Sequence, residues 1–263
     1  MGGIFLCGVF SLLDMGVFNA QAMNNAEAVD KIISFDDAKE KVRAFIEKPG
    51  ENVYFKDSVV TPHGKAFELV ADNGTFYANA MTGDVELAYF KQDYKGSLGA
   101  KLTKGQAQDK ALAYAKKYYK NFLKKNMQLV SAEEVDHGDA GKEYTFIWNE
   151  KINEIYTPNV VVVSINPGTG EMISYIGIEW PLLVKPELIV SKEDSIDKAI
   201  DQFEGISVVE ANAEPRIVYM GEGVQKVAWV VEVRGEEKDG WIPGGSVTID
   251  ALNGDILIVD PYQ

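Results

Sequence analysis

The sequence predicts an α+β protein of tandem units, each one helix packed on a curled antiparallel sheet. Two observations carry that expectation. The segments YANAMTGDVEL (77–87), SINPGTGEMIS (164–174) and TIDALNGDILI (248–258) share one pattern. A helix-like segment with a polar start precedes each of them. Runs of strands then follow each helix instead of alternating with it singly, which separates α+β from a doubly wound nucleotide fold.

The three segments align on Gly83, Gly170 and Gly254, 87 and 84 residues apart. Asn79, Asn166 or Asp250 ends one strand, and Thr82, Thr169 or Asn253 precedes the glycine. Asp84, Glu171 or Asp255 follows it, and an apolar residue then opens the next strand. Glycine takes positive φ cheaply and Asn or Asp side chains close turns, so each segment reads as a β-hairpin. Internal repetition of this kind points to one module used several times.

Ser34, Thr103 and Ser191 are N-cap candidates, with Asp37, Gln106 and Asp194 three positions later in capping-box register. Ala38, Val42 and Ile46 form an apolar stripe after the first cap, Ala107, Ala111 and Ala115 after the second, and Ser195, Ala199 and Phe203 after the third. That spacing suits a helix lying on a sheet. Strand-like runs fill the rest: NVYFKDSVV and KAFELVA; MQLVSAEEV, EYTFIWN and NVVVVSIN; RIVYMG and KVAWVVEVR. The resulting units are 30–95, 98–184 and 186–263. A stiff connection is expected at Pro181–Pro186 and a looser one near Tyr94–Gly99.

Residues 4–13, IFLCGVFSLL, are too short to span a membrane, which takes roughly 20 apolar residues. With Ala20-Gln21-Ala22 behind them they read as a signal peptide over 1–22, cut after Ala22. No Lys or Arg precedes the apolar run, and Asp14 interrupts it. Cys7 is the one cysteine, so the mature chain is expected to carry none, as suits an extracellular setting. The net charge of −14 argues against nucleic acid as the main partner. One Cys and two His leave no cysteine zinc cage and little material for His-dependent catalysis.

The remaining candidates have ordinary explanations. His63, in TPHGK, is expected at a hairpin tip. The loop of Glu133, Glu134, Asp136, His137 and Asp139 offers ligands to a divalent cation, but its spacing is not that of a calcium hand and its composition is that of a polar turn. Asp84, Glu171 and Asp255 occupy equivalent turn positions, which fits turn stability and not paired acid–base chemistry. Gly221-Glu222-Gly223 lacks the features of a phosphate loop and reads as a hairpin turn. No serine sits in a nucleophile elbow. Residues 101–125 carry eight Lys against one Asp, with Lys116, Lys117, Lys120, Lys124 and Lys125 in the C-terminal half of the expected helix. They form either a solvated face or a docking surface for an acidic polymer. Tyr114, Tyr118 and the four tryptophans Trp148, Trp180, Trp229 and Trp241 are assigned to packing, with Trp241 beside a loop and Trp180 at a unit boundary. No catalytic, cofactor-binding or metal-binding residue is assigned.

The second unit, with Tyr144, Phe146 and Trp148, then Asn153 and Ile155, Val161 to Ile165, Thr169-Gly170-Glu171 and Trp180, resembles the YcdB/YcdC-type PepSY repeat. The third unit resembles it through its hairpin, with Asn253 in place of Thr, and the first through TGDVEL and its helix. The resemblance implies cystatin-like units in a secreted or cell-envelope protein. It implies a binding role, inhibition or regulation of a peptidase, and no catalytic residues or cofactors. The chain has no HExxH of its own. The expected partner is a protein, such as a secreted peptidase, or an acidic envelope polymer; neither nucleic acid nor an integral span of the mature chain is expected. The alternatives are a structural envelope protein, and a metal-binding or hydrolytic protein using the acidic 133–139 loop.

Overall fold

A computed structural model describes residues 32–61, 64–91, 101–138, 141–221, 223–238 and 240–262. The expected leader with Cys7, the connection at 94–99, and His63, Asp139 and Glu222 lie outside the described residues.

Helix α1 (Phe35–Phe45) is followed by strands β1 (Val53–Thr61), β2 (Gly64–Ala71), β3 (Gly74–Asn79) and β4 (Val85–Phe90). Helix α2 (Lys104–Tyr118) is followed by β5 (Met127–Asp136), β6 (Lys142–Ile152), β7 (Ile155–Ile165) and β8 (Met172–Ile178). Helix α3 (Lys192–Ile200) is followed by β9 (Val208–Tyr219), β10 (Gln225–Gly235), β11 (Gly244–Asp250) and β12 (Ile256–Pro261). The class is α+β, with nearly all strand pairs antiparallel. The chain divides into two compact units. The first comprises the residues up to Leu123, with Leu129–Trp148 and Val160–Ile178; the second comprises Lys124–Gln128, Asn149–Asn159 and Glu179–Gln263.

Each helix starts where its cap predicts. Ser34 Oγ accepts from Asp37 N at 3.0 Å, and Ser191 Oγ accepts from Asp194 N at 3.0 Å. Thr103 and Gln106 close a full reciprocal capping box. These bonds satisfy backbone donors that the first turn of a helix leaves without a partner. The buried residues are small except at the end of α1: Ala38, Val42 and Phe45 on α1, Ala107, Ala111 and Ala115 on α2, Ser195 and Ala199 on α3. Small side chains let the helix backbone approach the sheet closely.

The hairpins β3–β4, β7–β8 and β11–β12 are built alike. Asn79 Oδ1 accepts from Met81 N and Thr82 N, and Asn166 Oδ1 accepts from Gly168 N and Thr169 N. Asp250 Oδ1 accepts from Leu252 N. Gly83, Gly170 and Gly254 have φ of 73°, 76° and 79°, a region glycine enters without strain. In each turn the residue after the Asn or Asp receives backbone bonds from just ahead of the helix cap: Ile33 N to Ala80 O, Leu102 N to Pro167 O, Val190 N to Ala251 O. A lysine seven residues into each helix, Lys41, Lys110 or Lys198, lies over the turn glycine. Lys198 Nζ donates to Gly254 O at 2.8 Å. Each of these three hairpins is therefore tied to the start of the helix that precedes its strands.

In the first unit, β4 and β8 pair antiparallel, Leu87 with Ile176, Ala88 with Tyr175 and Tyr89 with Ser174. Phe45, Tyr118 and Tyr175 pack their rings between α1, α2 and β8, at 4.2 Å from Phe45 to Tyr118 and 5.4 Å from Phe45 to Tyr175. In the second unit, Ala199 of α3 packs with Val227, Trp229, Val231, Val247 and Ile249.

Two expectations need correction. Helix α2 ends at Tyr118, so Lys120, Lys124 and Lys125 lie beyond it and only Lys116 and Lys117 complement its C-terminal dipole. Tyr119 is extended, with φ −91° and ψ 101°, and both it and Phe122 are buried beyond the end of the helix. Strand β9 begins at Val208, not at Arg216, and runs through Pro215. Its outer side carries a single parallel bridge, Tyr156 to Arg216, an edge-like setting in which proline is tolerated.

Candidate functional site

A groove of about 410 Å3 lies between the start of α1 and the β1–β2 ribbon, lined by Ile32, Ile33, Ser34, Phe35, Ser58, Val59, Val60, Lys65 and Phe67. It exists because α1 begins with an aromatic residue turned toward the ribbon. Phe35 stacks on Phe55 at 4.1 Å and meets Phe67 edge-on at 5.0 Å, yet remains exposed, as do Ile32 and Val60. Burying such side chains is favourable, and an exposed apolar patch of this kind marks a contact surface.

Strand β1 pairs with β2 alone among the described residues, so its other edge has no strand beside it. Ser58, Val59 and Val60 belong both to that edge and to the groove. An extended segment added at β1 therefore places side chains beside the groove. The groove holds one charged group, Lys65, and two hydroxyls. Ser34 Oγ already bonds Asp37, accepting from its N–H and donating to its carboxylate at 2.7 Å. The lining offers recognition, and no paired carboxylate or activated nucleophile.

One lysine beyond the acidic loop pairs with two of its carboxylates. Lys142 Nζ lies 2.6 Å from Glu134 and 3.3 Å from Asp136. The Lys142 bond holds Glu134 below the usual carboxylate range; the Gly138 N–H, then Lys142, do the same for Asp136. His137 Nε2 is 3.7 Å from Glu143. Among the described residues, no three His, Cys, Asp or Glu side chains converge to hold a metal.

The lysine-rich segment is largely exposed at Lys116, Lys117, Lys120 and Lys124, and Lys125 is the more buried one. Lys117 pairs with Glu47 at 2.6 Å, Lys120 with Asp84 at 2.8 Å, and Lys125 with Glu150 at 3.1 Å and Glu179 at 3.3 Å. The first two pairs link α2 and the turn after it to the end of α1 and the β3–β4 turn. Three of the five lysines thus make ion pairs within the chain. Trp148 and Trp229 are buried, and Trp229 Nε1 donates to Val190 O at 2.9 Å. Trp241 is exposed in the β10–β11 loop. Trp180 stacks on Tyr219 at 4.2 Å. Residues 221 and 223 flank the β9–β10 hairpin turn, where Met220 N donates to Val224 O. Asp255 accepts from Asn253 Nδ2 within its own turn, whereas the Asp84 carboxylate takes up Lys120 from beyond α2.

Sequence reasoning missed one cluster. Glu150 is 4% exposed, and its carboxylate accepts from Thr157 Oγ1 at 2.9 Å, Asn159 Nδ2 at 2.6 Å and Lys125 Nζ. Asn159 Oδ1 in turn accepts from Trp180 N. Gln225 binds the following segment through Pro181 O and Leu183 N, each at 2.8 Å. A buried carboxylate is a natural candidate for chemistry, but these partners occupy both its oxygens. Its role is to fasten residues 180–183. The groove was missed too, since no pattern marked Ile32, Phe35 and Val60 as neighbours.

No family model matches the chain, and no curated protein matches it. Among solved structures it is similar to the Bacillus megaterium YpeB C-terminal domain, with a TM-score of 0.52 and 16% sequence identity over 89% of this chain and 99% of that one. At that identity the likeness is one of fold, an α+β arrangement shared along most of the chain.

Proposed function

We propose that the chain is an exported, non-enzymatic binding protein made of three tandem PepSY-like modules, 30–95, 98–184 and 186–263, and that it restrains a secreted peptidase by holding an extended segment of it. The observation that carries this reading is the open β1 edge running into the apolar groove at Phe35 and Val60. A strand added there gains main-chain hydrogen bonds along the edge and buries an apolar side chain in the groove. The repeated helix-and-four-strand order, the three matching turns and the likeness to the YpeB C-terminal domain support the modular part. Among the described residues no helix is long and apolar enough to cross a membrane.

The test is to add the mature chain to secreted metallopeptidases of the same cell and measure proteolysis. The expected result is restraint of at least one of them, weakened about tenfold or more by Val60→Lys, which places a charge where an apolar contact forms; that factor is the order of one lost contact of ~1.4 kcal/mol. Unchanged proteolysis across the panel would overturn the restraint. Restraint undiminished by Val60→Lys would move the contact away from the groove.

A further inference from the structure

The last strand of every module stands in one register. Residues five past the turn glycine pair with residues seven before it: Ala88 with Phe76, Tyr175 with Val163, Val259 with Val247. Each of these hairpins also has its register shift at the same place, between Tyr77 and Ala78, Ser164 and Ile165, and Thr248 and Ile249. The outer edges of β4, β8 and β12 are therefore equivalent in backbone direction.

Two of those edges pair with one another. In the β4–β8 ladder, the residues four, five and six past one turn glycine face those six, five and four past the other. The contact is symmetric about its middle pair, Ala88 and Tyr175, which are 0% and 1% exposed. The third member has no such cover. Among the described residues β12 pairs with β11 alone, and Ile256, Ile258 and Val259 are 41%, 46% and 40% exposed. Proteins ordinarily blunt an open apolar edge with charges, a bulge or a covering element. Here β12 carries Asp260 and Pro261 at its end and the register shift it shares with β4 and β8, a shift that does not keep those two strands from pairing.

We infer that β12 pairs antiparallel with β12 of a second copy of this chain, Val259 opposite Val259, repeating between molecules the contact that β4 and β8 make within one. The occupant follows from the symmetry. A last strand is shaped to meet another last strand about the same middle residue. β4 and β8 satisfy each other, so the unused edge of that kind belongs to another molecule. A symmetric contact of this type closes at two subunits and does not propagate. It places each Asp260 opposite the partner subunit's Ile258 and not opposite the other carboxylate.

The mass of the full chain in solution, by light scattering or sedimentation, tests this. The expected mass is twice the 29.0 kDa of one chain, falling to one chain in Val259→Lys, which sets two ammonium groups against each other on the axis. Val259→Cys, with Cys7→Ser to remove the chain's one native cysteine, is expected to form a disulfide-linked dimer at least ~10-fold faster than Ile256→Cys, because directly opposed Cα atoms about 4.5–5.5 Å apart lie within disulfide range. If Val259→Lys does not fold, the two cysteine rates decide. A wild-type chain that stays monomeric up to ~100 µM, enough to populate a dimer of micromolar Kd, would overturn the inference. So would a Val259→Lys dimer, an open series of larger oligomers, or equal cysteine rates.

Discussion

Glu150→Gln removes one charge from the centre of the buried cluster in the second unit and nearly preserves volume. The native carboxylate takes three donors, Thr157 Oγ1 and Asn159 Nδ2 on one oxygen and Lys125 Nζ on the other. A glutamine amide has one acceptor oxygen. Set toward Thr157 and Asn159, it turns its NH2 group against the Lys125 ammonium. Set toward Lys125, it faces two donors with a donor. The first arrangement loses one charge-assisted bond, about 1.5–3 kcal/mol, and is the less costly. Lys125 keeps Glu179 at 3.3 Å, which limits the damage. The expected loss is about 2–3 kcal/mol, and Glu150→Ala, which strands a mostly buried ammonium, is expected to cost about 3–5 kcal/mol. At ~4–8 °C per kcal/mol for a unit of about 100 residues, Glu150→Gln lowers the second unit's melting temperature by about 8–24 °C in calorimetry. Because Asn159 holds Trp180 N, hydrogen exchange at Trp180 is expected to quicken in the same variant. Glu179→Gln is the control: that side chain is 42% exposed, so its loss is expected below ~1 kcal/mol. A Glu150→Gln shift no larger than that of Glu179→Gln would refute the reasoning.

Three more expectations concern the first unit. Gly170→Ala puts a Cβ 2.9 Å from Lys110 Cε at φ 76° and is expected to cost about 1–2 kcal/mol from the left-handed conformation, whereas Gly105→Ala, in the open first turn of α2, is expected to stabilise by up to ~1 kcal/mol; urea unfolding compares them, and equal effects would sink the argument. Burial, helped by Asp84 and opposed by the Asn79 bond, raises the Glu86 carboxyl above its usual 4.5, so the native state binds that proton more tightly than the unfolded chain does. Stability from this group falls as pH rises from 4.5 through the raised native value; Glu86→Gln should therefore exceed wild type at pH near 7 and approach it near pH 4, as pH-resolved melting would show, with a constant difference counting against it. Lys120→Met breaks the exposed pair with Asp84 and is expected to cost under ~1 kcal/mol at low salt and almost nothing in ~1 M salt, where screening reaches about 3 Å; a large, salt-independent loss measured by chemical unfolding would assign the side chain a packing role instead.

The reach of sequence reading can be traced residue by residue. The caps at Ser34, Thr103 and Ser191 and the turns at Asn79, Asn166 and Asp250 stand where local chemistry puts them, since their bonds span two or three residues. The end of α2 does not follow the same logic. KNFLKKN continues a helical composition, yet the helix stops at Tyr118 and Tyr119 is extended and buried, so the boundary does not follow propensity. The partners of Lys117 and Lys120 were not legible for a related reason: Glu47 and Asp84, which take them up, lie far earlier in the chain.

By itself, the order of amino acids determined the helix starts, the glycine turns and the α+β class, because these rest on dihedral preference and short-range periodicity. Only the folded chain decided which edges pair, as β4 with β8; which lysines find acids; that Phe35 and Val60 share a groove; and that Glu150 is buried with its partners around it. Those outcomes depend on residues far apart along the chain, brought together by burial and by the register of strands, and no local pattern encodes that distance.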